Sequence, residues 1–291
     1  MIIDAHVHIG REELFSPSMV EFMNSHHLLD EAGRRRLLPE GLIEEMDSNN
    51  IDKAIVFPLA FPENAEQLNI LNEFTINSVS KYSKRLIGFA VIAPSDIAAS
   101  IKLLEQVIKE DQLRGIKIHP SMQRVFMNDP LLDPIYEFAT QADIPILFHS
   151  GAGPSGQSDK YSQPSLIEDV LIKHKGLKVI LAHMGRPFYE ETAYILRKYG
   201  NVFADISANK GRKGGPALLR HVLMFLHTYA GAAERLIFGT DYPVFTFHDY
   251  LNQVHTALEG GMFGGEKIDF TQDEIEGILG KNILRLINEK E

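Results

Sequence analysis

The chain has 291 residues, 44% apolar and 23% charged, an ordinary balance for a globular protein with a large core. A formal charge of −10 argues against a polyanionic partner such as nucleic acid, which needs a basic face. The absence of cysteine excludes disulfides, zinc ribbons and thiolate catalysis, so any bound metal must sit on nitrogen and oxygen ligands.

No apolar run reaches the roughly 18 residues of a membrane span. The N-terminus lacks the basic-then-apolar pattern of a signal peptide, and a cytoplasmic protein is expected. Short β-branched runs alternate with longer stretches of helical spacing, the mark of βα units and a parallel sheet. In chain order the first half predicts strand Ile2–His8, helix Glu40–Asn49, strand Lys53–Pro58, helix Ala65–Tyr82, strand Leu86–Ile92, helix Ala98–Lys109, strand Gly115–His119 and helix Pro130–Gln141. The second half predicts strand Pro145–His149, helix Ser165–Lys173, strand Lys178–His183, helix Phe188–Lys198, strand Val202–Ile206, helix Pro216–Ala230, strand Leu236–Asp241 and helix Asp249–Leu258. A further helix, Thr271–Asn288, begins with a capping box, Thr271 with Glu274, and is expected to cover the barrel. Eight alternations predict a closed (β/α)8 TIM barrel, because an open doubly wound sheet would serve with five or six. One domain over residues 1–291 is expected.

The connection Gly10–Pro39 is too long for an ordinary βα loop. It holds Phe15, Met19, Phe22, Met23, His26, His27 and the basic cluster Arg34–Arg36. It reads either as a helical decoration on the rim or as a lid, since long βα loops open on the catalytic face.

Polar residues recur where strands should end. In Ile2-Ile3-Asp4-Ala5-His6-Val7-His8, residues two apart share a strand face, so His6 and His8 point together and can chelate one cation. The later runs Ile146-Leu147-Phe148-His149, Ile180-Leu181-Ala182-His183 and Ile237-Phe238-Gly239-Thr240-Asp241 each place a polar side chain after apolar residues. A single such histidine is often a packed core residue; repeated at one end of a barrel, these side chains converge on its mouth.

These motifs, with Gly115-Ile116-Lys117-Ile118-His119-Pro120, Gly239-Thr240-Asp241-Tyr242-Pro243 and the closing run 278–286, resemble the amidohydrolase-related (amidohydrolase 2) branch of the amidohydrolase superfamily. That branch contains metal-dependent hydrolases and non-oxidative decarboxylases of unsaturated and aromatic acids. The resemblance implies that His6, His8, His149 and Asp241 bind one divalent metal ion, zinc foremost with manganese or iron as alternatives. His183 then acts on substrate or water, and Asp241 also carries protons as a catalytic group. In two-metal relatives a carboxylated lysine bridges the ions; Lys117 stands one step deeper than His119, and one ion is expected. Lys117 is expected instead to pair with a buried acid such as Asp4. His119, Arg186, Lys210, Arg212 and His248 are candidate substrate-binding residues, the cations suiting an anionic small molecule.

The leading expectation is hydrolysis of a small carboxylate-bearing ester, lactone or amide by metal-activated water. The alternative is decarboxylation with the same metal. Decarboxylases of the branch are longer, and some begin Glu-x-His where this chain has His6-x-His8, which favours the hydrolase. A barrel that only binds a metabolite is the third reading. A homodimer is the expected assembly by base rate.

Overall fold

The computed structural model describes residues 1–25, 28–110, 112–153, 156–210 and 215–289, without the side chains of Ser18 and Phe22. The expectations for His26, His27 and the Phe22 side chain lie outside the described residues. Eight parallel strands pair in sequence order: β1 (Ile3–Ile9), β2 (Lys53–Pro58), β3 (Leu86–Val91), β4 (Gly115–Ile118), β5 (Ile146–Phe148), β6 (Val179–Leu181), β7 (Val202–Asp205) and β8 (Leu236–Ile237). The ring closes where Ala5 N donates to Phe238 O at 2.9 Å, His8 N to Tyr242 O at 2.8 Å and Asp241 N to His6 O at 3.0 Å. A (β/α)8 barrel results, with helices between successive strands.

Both faces of each strand are covered, which is why the strands read as nearly continuous apolar runs. Ile3, Ile55, Phe57, Phe89, Leu147 and Ile180 fill the barrel interior, and Ile283, Leu284, Leu286 and Ile287 join the same cluster from the last helix. The C-terminal segment therefore plugs the bottom of the barrel. It is not one continuous helix: Gln272–Glu276 runs into a π-helical turn, Gly277–Lys281, and then Asn282–Leu286. The capping box on Thr271 and Glu274 is present. Asn282 shows why the register changes: its buried amide donates to Ala233 O at 2.9 Å and Leu236 O at 2.8 Å. A short hairpin, β9 (Gly261–Phe263) and β10 (Glu266–Ile268), was not expected; its turn uses Gly264 and Gly265 at φ 58° and 89°.

In the long connection after β1, two helices, α1 (Pro17–Ser25) and α2 (Glu31–Leu37), pack over the rim. Met19, Met23, Leu28, Leu29 and Leu37 form their own apolar cluster with Leu59. Arg34 pairs with Glu12 and Arg35 with Glu44, so these cations serve the surface.

Candidate functional site

Strand β1 reaches the mouth with one irregularity. Asp4 pairs with Ala54 but Val7 pairs with Val56, so β1 carries an extra residue between them. Such bulges re-aim side chains near functional sites. Here the Asp4 carboxylate accepts from His6 N at 2.9 Å, Thr240 N at 3.1 Å and Thr240 Oγ1 at 2.6 Å. Burial raises the Asp4 carboxyl to about 7, against the lowering effect of these hydrogen bonds. The expected ion pair between Asp4 and Lys117 is therefore corrected: Thr240 and the His6 amide occupy the acid.

The histidines and the acid meet. Asp241 Oδ1 lies 3.4 Å from His6 Nε2 and 3.2 Å from His8 Nε2. His183 Nε2 lies 3.2 Å from His149 Nδ1, and the His6 and His183 rings are 4.8 Å apart. One ligand atom each from His6, His183 and Asp241 lies within 4.8 Å of the others, the spacing of a cation site. That trio includes His183; His149, the ligand that the family resemblance implies, lies against it, ring centroids 5.0 Å apart. Among the described residues, the buried His149 Nε2 has no hydrogen-bond partner. An orphaned ring nitrogen on a residue that lines the cavity is open to a bound group.

The residues after the strands are turned by the backbone. The predicted strands ran through His149, His183 and Asp241, whereas β5, β6 and β8 end at Phe148, Leu181 and Ile237. His183 and Asp241 adopt left-handed conformations, at φ 59° and 71°. Non-glycine residues rarely do so, and sites of function are where such strain collects. Tertiary hydrogen bonds impose it: His183 N donates to Asp205 Oδ1 at 2.9 Å and Asp241 N to the His6 carbonyl.

Two residues escaped the sequence reading. Asp205, at the end of β7, places Oδ2 2.8 Å from His6 Nδ1, while Ser207 Oγ lies 2.7 Å from His183 Nδ1. The alternation Ala204-Asp205-Ile206-Ser207 is the same two-residue rule that identified His6 and His8.

Lys117 is fully buried beneath the cluster, its Nζ 3.4 Å from His6 Nε2 and 4.7 Å from the centroid of the Phe57 ring. Burial depresses its pKa to about 7, although Asp205 and Asp241 favour the cation. Burial likewise holds His6, His119, His149 and His183 well below the ordinary histidine range. Burial would raise Asp241, but the hydrogen bond from His8 and the proximity of His6, His8 and Lys117 leave it below the usual carboxylate value. A cluster of neutral imidazoles around one carboxylate is the protonation state that metal binding requires.

The mouth opens into a cavity of about 1750 Å³. Phe15 and Met19 from the long connection, Phe61 after β2 and Phe245 after β8 supply apolar wall, so that connection shapes the mouth as well as packing on the rim. His119 lines the cavity with its ring stacked on His149, and Arg186 lines it from the β6 side. Arg186 donates to Ala208 O and has no carboxylate partner among the described residues. Lys210 is exposed and does not line this cavity; Arg212 lies outside the described residues. His248 stands exposed on the helix Phe247–Leu258, within reach of Asn252 rather than the cavity.

Solved structures share this whole architecture. The 5-carboxyvanillate decarboxylase of Sphingomonas paucimobilis is 17% identical, with TM-score 0.72 and 99% of each chain covered. The 2,6-dihydroxybenzoate decarboxylase from Rhizobium is 15% identical, with TM-score 0.74, covering 99% of this chain and 98% of that one. The 5-carboxyvanillate decarboxylase of Novosphingobium aromaticivorans, complexed with manganese and 4-hydroxy-3-methoxy-5-nitrobenzoic acid, is 17% identical with TM-score 0.73, covering 99% and 96%. These enzymes are lyases, and they overturn the expectation of a hydrolase. Length and insertions failed as a discriminant because they alter loops, while the barrel aligns from end to end. The sequence matches the amidohydrolase family (its amidohydrolase 2 model) over residues 3–288, and the chain belongs to that family.

Proposed function

We propose that the protein is a metal-dependent, non-oxidative decarboxylase of an aromatic or unsaturated carboxylic acid. The observation that carries this reading is the meeting, in one cavity, of a buried nitrogen–oxygen donor cluster, the rings of Phe15, Phe61 and Phe245, and Arg186, a cation with no carboxylate partner among the described residues. The similar structures support it, since all three reported above are decarboxylases of aromatic acids and one is complexed with manganese.

His6, His8, His183 and Asp241 would hold the cation, leaving the His149 imidazole to the substrate. Nitrogen and carboxylate donors without thiolate suit manganese or zinc; manganese is favoured by its presence in a similar structure. Once bound, a divalent cation supplies the positive charge that holds the substrate's oxygens and stabilises charge built up in the reaction. Phe15, Phe61 and Phe245 offer surface for the unsaturated or ring carbons, and Arg186 neutralises an anionic substituent. In the reaction the bond from carbon to CO2 breaks, its electron pair stays on that carbon, and a proton takes the vacated position. No water is consumed. Asp241, 17% exposed against 1% for His6 and 7% for His8, reaches furthest toward the cavity and carries the proton.

The test supplies purified protein with manganese or zinc and measures CO2 from a panel of hydroxybenzoates and unsaturated acids. Chelator-sensitive CO2 release equimolar with substrate loss is expected. Metal-loaded protein that releases none across the panel would remove the reading.

A further inference from the structure

Counting hydrogens around Asp205 assigns a role to two residues outside the candidate ligand set. Asp205 Oδ1 accepts from His183 N at 2.9 Å and from Ser207 N at 3.1 Å. The same oxygen is in hydrogen-bond contact with Ser207 Oγ. With two N–H groups already directed at it, that oxygen is an acceptor, so the Ser207 hydroxyl must donate to it. A hydroxyl has one hydrogen to give. Ser207 Oγ can then only accept at its other contacts, His183 Nδ1 at 2.7 Å and, more loosely, His6 Nδ1 at 3.4 Å. The hydrogen of the neutral His183 ring is therefore on Nδ1 and its Nε2 is bare. On the other side, Asp205 Oδ2 lies 2.8 Å from His6 Nδ1, so that ring also keeps its hydrogen on Nδ1.

Both bare nitrogens face inward. His6 Nε2 points at Asp241 Oδ1, 3.4 Å away, and His183 Nε2 faces His149 Nδ1 at 3.2 Å. His149 Nδ1 is then the donor in that last contact, so its own Nε2, without a partner among the described residues, carries no hydrogen. Asp205 and Ser207 are themselves completely buried, so water does not compete for these bonds.

We propose that Asp205, acting on His6 directly and on His183 through Ser207, is the positioning residue that sets both rings as Nδ1–H tautomers and presents two proton-free nitrogens to one point. Only the identity of what binds at that point rests on the proposed function. A hydrogen bond from a ligand imidazole to an outer acceptor orients the ring and raises its basicity; here one carboxylate does this for two rings from different strands.

The tautomers can be read without turnover. Metal-free protein labelled with 15N in histidine is examined by long-range 1H–15N correlation, with His6→Asn and His183→Asn assigning the two rings. In the wild type, both rings should show a protonated Nδ1 and an unprotonated Nε2. Ser207→Ala should convert the His183 pattern to a tautomer mixture and leave His6 unchanged; Ser207→Thr, which keeps the hydroxyl, should restore it. Metal affinity measured by chelator competition should fall roughly 10- to 100-fold in Ser207→Ala and recover in Ser207→Thr. A protonated Nε2 on His183 in the wild type, or an unchanged His183 pattern in Ser207→Ala, overturns the proposal. If Ser207→Ala does not fold, the wild-type spectrum alone decides. Correct tautomers without CO2 release would sink the decarboxylase reading and leave this one standing.

Discussion

The imidazole of His119 lies flat on that of His149, ring centroids 3.8 Å apart and planes 8° from parallel. His119 is itself held in place, its Nδ1 accepting from Met122 N at 3.2 Å and its ring met edge-on by Phe61. A ring contact of this kind is worth about 0.5–1.5 kcal/mol beyond the area it covers. His119→Ala should weaken metal binding roughly 2- to 10-fold, because the loosened His149 packs against His183, 3.2 Å away, while His119→Phe should retain it. Chelator competition checks this; equal affinity in all three proteins would restrict His119 to lining the cavity.

Arg186 is the second lever. It lines the cavity without a carboxylate ion-pair partner among the described residues, and its anchor is the carbonyl of Ala208. Hydrogen bonds to charged groups contribute about 1.5–3 kcal/mol. Arg186→Met should lower kcat/KM roughly 10- to 150-fold, with metal content unchanged. Steady-state kinetics with matched metal analysis checks this, and unaltered kcat/KM would place the substrate anion elsewhere.

Thr240 and Asp4 join β8 to β1 below the site. Thr240→Val deletes the 2.6 Å hydrogen bond to the buried Asp4 carboxylate. Leaving such an oxygen unsatisfied costs about 1–3 kcal/mol, so Tm should fall by roughly 2–10 °C. Thr240→Ser should lose much less. Calorimetry of the two variants separates the hydroxyl from the methyl group.

Acid should weaken the metal-free protein. His6, His8, His119, His149 and His183 all have pKa values lowered from 6.5, chiefly by burial. The unfolded chain therefore takes up protons near pH 6.5 where the folded one does not. Stability is lost as pH falls below that value, by up to about 1.4 kcal/mol per pH unit per group. Asp4 opposes this: its value is raised from 3.8 to about 7, so its contribution is full in acid and is lost as pH rises through 7. Lys117, lowered from 10.5 to about 7, adds stability with rising pH only between those values. Five depressed imidazoles outweigh one carboxyl. Thermal melts in chelator should show Tm declining from pH 7 to pH 5; a flat or rising Tm would contradict this balance.

Much of the barrel was legible because its strands are buried on both faces and its helices keep their own spacing. His6, His8, His149, His183 and Asp241 were legible as polar side chains closing apolar runs. The turns that aim them were not. The left-handed backbone at His183 and Asp241 depends on Asp205 and the His6 carbonyl, partners 22 and 235 residues away in sequence. Asp4 found Thr240, on the last strand's exit, in place of Lys117, and local spacing carries no sign of that competition. Decarboxylation and hydrolysis were hard to separate because the same donors serve both. Phe15 and Met19 line the cavity from a connection whose course the sequence left open.

The most direct test follows atoms from solvent. Metal-loaded protein turns over an aromatic or unsaturated acid in deuterated water, and mass spectrometry with NMR locates the new isotope. The account predicts one CO2 per substrate lost and a single deuterium on the carbon that carried the carboxyl group. Solvent oxygen entering a newly released acid, with no CO2 formed, would contradict it.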